Sequence, residues 1–152
     1  MSTETGQAAT TETGTLSDWQ AGVVGGIAGA VVFGAMMAAM EPMMLAEMIP
    51  MMYGLDGELA GWFVHLSHGA TLGVVFAALV ELTPLGEFAG TAVGGIAAGV
   101  VYGIVLWAIL AVVVMPVWLG MAEMVPNLDV GSLVGHVLYG AVLGALYPTL
   151  RG

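Results

Sequence analysis

At 152 residues the chain is long enough for one domain. Hydrophobic residues make up 59% and charged residues 8%, against roughly 45–50% and 25% in an average soluble domain, which excludes a water-soluble globule and predicts an integral membrane protein. The formal net charge is −10 with Arg151 the only cation and no cysteine, which excludes nucleic acid as a partner, excludes disulfides and thiolate metal sites, and leaves the lipid bilayer as the expected surroundings.

Residues 1–17 are rich in Thr and Glu and almost devoid of apolar side chains, so they are expected to form a disordered acidic tail. They lack the basic start of a signal peptide. The four-span membrane domain is expected over 18–152. Its first span, Ala21 to Met40, is long enough to cross a hydrocarbon core of about 30 Å. Gly22, Gly26 and Gly34, with Gly29 beside them, give it a small-residue stripe for close helix approach. Glu41 and Pro42 end it. Residues 43–58 are too short and interrupted to span, and read as a short apolar helix at the membrane interface followed by a turn.

The second span, Leu59 to Val80, carries His65 and His68 and the stripe Gly69 and Gly73. A short polar connection leads to the third, Phe88 to about Met115, with Gly95, Gly99 and Gly103 four apart. Residues 117–129 repeat the interfacial pattern, and Val130 to Tyr147 form the fourth span, with His136, Gly140 and Gly144. Trp19, Trp62, Trp118 and Tyr147 fall near span ends, where an aromatic belt is expected.

Three blocks recur in order. Val24-Gly-Gly-Ile-Ala-Gly-Ala-Val-Val-Phe-Gly34 matches Val93-Gly-Gly-Ile-Ala-Ala-Gly-Val-Val-Tyr-Gly103. Ala46-Glu47-Met-Ile-Pro50 matches Ala122-Glu123-Met-Val-Pro126, and His68-Gly-Ala-Thr-Leu-Gly73 matches Tyr139-Gly-Ala-Val-Leu-Gly144. The fold class expected is therefore all-α: an integral membrane four-helix bundle of two tandem helical-hairpin repeats, 18–83 and 84–150, with short interfacial segments. Two spans per repeat place both repeats in the same orientation, so the repeats are parallel. The single cation near the C-terminus favours cytoplasmic termini in the plasma membrane.

His65 and His68 share a helix face, and His136 occupies the position of His65 in the second repeat. Ionisable residues inside spans invite a functional reading, here haem b or a divalent metal held by His65, His136 and His68 with Glu47 and Glu123 nearby. The plainer alternative is neutral imidazoles hydrogen-bonding between helices with no cofactor, and this is the expected one. Met36 to Met52 holds eight of the twelve methionines, read as flexible apolar filler rather than a copper site. No kinase, hydrolase or phosphate-binding motif is present, so an enzyme is not expected.

The Gly25-Gly-Ile-Ala-Gly29 opening, the Ile49-to-Leu55 loop and the Val64-His65-Leu-Ser-His68-Gly69-Ala-Thr-Leu-Gly73 helix resemble a group of uncharacterised haloarchaeal membrane proteins with four spans and a polar N-terminal tail. Acid excess without lysine suits that halophilic setting. Similar sequences are sometimes labelled histidine kinases, but this chain has no ATP-binding domain and no Lys or Arg near the histidines. The function expected is a non-enzymatic oligomeric or accessory membrane subunit, because the glycine stripes exceed what one bundle needs internally, making a homo-oligomer or other membrane subunits the expected partners. The alternatives are an electron-transfer or proton-relay component using the histidines, and a small oligomeric channel or transporter.

Overall fold

A computed structural model describes residues 16–151. Of the expected acidic tail over 1–17, all but Leu16 and Ser17 lies outside the described residues. Four helices are long and apolar enough to cross a membrane: Asp18–Met40, Glu58–Leu82, Ala92–Trp118 and Val130–Leu150. Among the described residues there is no β-sheet.

Local chemistry sets the helix starts. The Ser17 backbone N–H donates to the Gln20 side chain at 3.1 Å. The Thr91 hydroxyl accepts from Gly94 N–H at 3.0 Å, and the Asp129 carboxylate accepts from Ser132 N–H at 2.6 Å. Each tie satisfies a backbone group that the first turn of a helix leaves unpaired.

The first and second long helices run antiparallel through Gly22, Gly26, Gly69 and Gly73, where a Cβ would collide with the facing backbone. The third and fourth do the same through Gly95 against Gly144, Gly99 against Gly140 and Gly103 against the His136 carbonyl. The first also packs on the fourth, with Gly25 at Leu143, Gly29 at Tyr139 and Phe33 at Gly135. Side by side the order is second, first, fourth, third. The second and third stand apart along most of their length. Tyr102 joins them: its hydroxyl donates to the Leu72 carbonyl at 2.7 Å and its ring lies 5.3 Å from Phe76.

Several sequence expectations change here. Every glycine of the predicted stripes meets another helix of the same chain. The two hairpins also differ in register. Gly26 faces Gly69, whereas its counterpart Gly95 faces Gly144, one turn beyond Gly140. Tyr147 is fully buried, its hydroxyl donating to Asp18 at 3.0 Å, so it belongs to the core and not to a lipid-facing belt. Trp62 likewise packs against Gly34, while Trp19 and Trp118 are exposed.

The two connections opposite the termini differ as well. Met44–Met48 is π-helical and runs into Ile49–Met51. This segment tucks against the start of the second long helix, burying Leu45, Ile49 and Pro50. Gly61 is what admits it, because a Cβ there would strike the Leu45 carbonyl. The corresponding stretch after the third helix forms only a 3-10 turn at Ala122–Met124 with no buried residue.

Candidate functional site

Because the second and third long helices stand apart, a cavity of about 460 Å³ opens between them, within the range of small-molecule sites. All three histidines line it. They come from two helices. His65 and His68 lie one turn apart on the second helix, and His136 lies nearly two turns into the fourth. The floor includes Phe33 and Met37 of the first helix, and the far wall is Leu106 to Trp118 of the third. Trp107–Val114 of that wall is π-helical, a form that recurs at functional sites. The tucked segment closes the remaining side through Met44, Ile49, Met52 and Tyr53.

Each histidine is anchored at one ring nitrogen. His65 Nε2 is 2.9 Å from the Ala30 carbonyl of the first helix. A carbonyl only accepts, so Nε2 carries the hydrogen. Gly34, one turn beyond Ala30, leaves space for the ring: a Cβ there would stand 3.2 Å from His65 Cδ2. His136 Nδ1 donates to the Ser132 carbonyl at 2.7 Å, within its own helix. His68 Nε2 shares a 2.6 Å hydrogen bond with the Tyr53 hydroxyl. The Tyr53 ring also lies 5.6 Å from Trp118, so one side chain bridges the tucked segment, the second helix and the third.

His65 and His136 do come to the same place, but Phe33 stands between them. Its ring lies 5.4 Å from His65 and 5.0 Å from His136, edge-on to both. Gly135 creates that slot, since a Cβ would overlap the phenyl ring. Tyr139, the counterpart of His68 in the repeat, does not mirror it: it is buried and donates its hydroxyl to the Gly69 carbonyl at 2.8 Å. Glu47 and Glu123 are exposed on the connections and do not line the cavity. Among the described residues no three His, Asp or Glu side chains gather as a metal site would require.

Tyr53, Phe33 and Tyr139 were not singled out from the sequence as site residues. Tyr53 had a signal, lying in the Ile49-to-Leu55 loop just ahead of Gly54 and Gly57, whose φ of 67° and 85° set the turn. Tyr139 had one too, its alignment with His68 in the recurring block; Phe33 had none, because aromatic residues in apolar helices are ordinary.

No Asp, Glu, Lys or Arg lines the cavity. An imidazolium there would lack a counter-ion, which disfavours the charged form. The arrangement suits holding an uncharged, mainly apolar molecule by a few neutral polar contacts. No curated protein and no solved structure matches the chain. A family model does match, over residues 16–152, and the chain belongs to that family of unknown function, DUF6789.

Proposed function

We propose that this is a non-enzymatic multi-pass membrane protein that binds an uncharged, largely apolar ligand in the histidine-lined cavity, entered from the bilayer between the second and third long helices. The observation that carries the reading is the convergence of His65, His68 and His136 on one cavity of about 460 Å³ without a charged residue. Exposure of Thr71 and Trp118 at its edge supports lateral entry. Arg151 lies beside Asp18, 3.7 Å apart, at the end of the molecule that carries both described termini. A lone cation at that end supports a cytoplasmic placement of it in the plasma membrane. A duplicated hairpin accounts for the matching blocks, and the paired glycines of the two hairpins support it even though their register is slipped by a turn.

The test is extraction of the detergent-purified protein with organic solvent and mass spectrometry of what is released. The reading expects an amphiphile at near-equal molar ratio in the parent and its loss in Ala111→Trp, which fills the cavity from the third helix. An equal trace of bulk lipid in both would sink it. The histidines also support a second reading, haem b or a divalent metal, because an imidazole anchored at one nitrogen presents the other in a fixed direction. A visible spectrum with a Soret band, or stoichiometric metal in the same sample, would move the assignment there.

A further inference from the structure

Hydrogen-bond accounting narrows the chemistry of the ligand. Four polar hydrogens around the cavity are already committed to backbone carbonyls: those of His65 Nε2, His136 Nδ1, the Tyr139 hydroxyl and the Thr71 hydroxyl, the last at 2.9 Å to Ser67. The Tyr53–His68 pair spends one hydrogen internally and keeps one. The Ser132 hydroxyl, 3.4 Å from the donating His136 Nδ1, also lines the cavity and keeps its hydrogen. Against these two hydrogens stand acceptors, two of them ring nitrogens. His65 Nδ1 and His136 Nε2 are lone pairs with no protein partner in the neutral rings. No buried side-chain nitrogen or oxygen lacks a partner, so these two nitrogens are accessible, and the space that both side chains border is the cavity. Around them stand Phe33, Tyr53, Trp118 and Tyr139, with Met37 and Met115, side chains whose faces and thioethers favour a flat ring.

We infer that the cavity binds a ring amphiphile that donates hydroxyl hydrogens, a phenol or hydroquinone headgroup with an apolar tail, in preference to the same molecule without those hydrogens. This rests on the ligand-cavity reading and deepens it. A quinone ring, which offers only carbonyl acceptors, would face acceptor against acceptor at His65 and His136, and so would an aryl ether. A hydroquinone offers two hydrogens to two lone pairs. A long-chain alcohol offers the hydrogen without the ring.

The probes are 4-decylphenol, its methyl ether 4-decylanisole, and 1-decanol, measured by equilibrium partition onto the full-length protein in detergent. The phenol is expected to bind about tenfold more tightly than the ether, the worth of one well-made hydrogen bond, and more tightly than decanol. His136→Leu is expected to shrink the phenol–ether ratio, by weakening the phenol and relieving the acceptor clash with the ether. That variant keeps the fold, since the hydrogen bond it removes is internal to one helix turn, and circular dichroism checks this. Equal binding of phenol and ether would overturn the donor inference while leaving the ligand cavity standing. Decanol equal to the phenol would overturn the ring assignment. No binding of any probe would overturn both readings.

Discussion

Two glycines and a tyrosine show how single positions act in this molecule. Gly99 approaches Gly140 so closely that a Cβ would enter the facing carbonyl, and the obstacle is backbone, which cannot step aside. Gly99→Ala is therefore expected to cost at least the roughly 1–3 kcal/mol of an overpacked core, read as a lower unfolding midpoint in detergent. Gly54 has open space around it but a φ of 67°. Gly54→Ala should cost about 1–2 kcal/mol, through backbone strain alone, and leave helix packing intact. Tyr139→Phe removes one buried interhelical hydrogen bond, to Gly69. Its expected loss is about 0.6–1.5 kcal/mol, with the ring still filling its place. A larger loss would mean that Tyr139 also orders the cavity beside it.

Among the elements, the long helices were legible because length, absence of charge and capping residues act locally. Glu41 and Pro42 mark one end and Asp129 one beginning, within a few residues of the helix limits. The tucked segment was not legible. Its docking depends on Gly61, whose partner is the Leu45 carbonyl sixteen positions earlier, and nothing in the local pattern distinguishes that glycine from a packing one. The residue aligned with Gly61 is Ser132, which has a side chain where Gly61 has none. Gly61→Val should release the tucked segment, seen as protease cleavage between Pro42 and Gly57 while the four long helices persist by circular dichroism.

At the scale of the whole molecule, the recurrence of blocks suggested a four-helix bundle of two hairpin repeats. Three helix pairs pack closely, and between the second and third helices a cavity opens. Convergence of the histidines was legible from the repeat, but the cavity was not, because the spacing between the second and third helices is set by contacts between distant residues that no block alignment contains. The absence of cysteine makes a topology test direct. With a membrane-impermeant maleimide, Asp56→Cys and Glu123→Cys are expected to label from one side of sealed vesicles and Glu87→Cys from the other. Labelling of Asp56→Cys and Glu87→Cys from the same side would remove the four-crossing arrangement.

The second and third long helices are joined by the short 83–91 connection at the end that carries the termini. Along the seam Tyr102 holds Leu72, and at the far end Tyr53 joins His68 and Trp118. The helices thus form an arc hinged at one end, with short strings across its opening. Such an arc opens most easily away from its hinge, so thermal motion should concentrate in the outermost helices at the end opposite the termini and spare the first and fourth. A guest lodged across the gap would act as a third string. Occupancy would then be readable as stiffness, in slower amide exchange along the third helix, at positions the guest never touches.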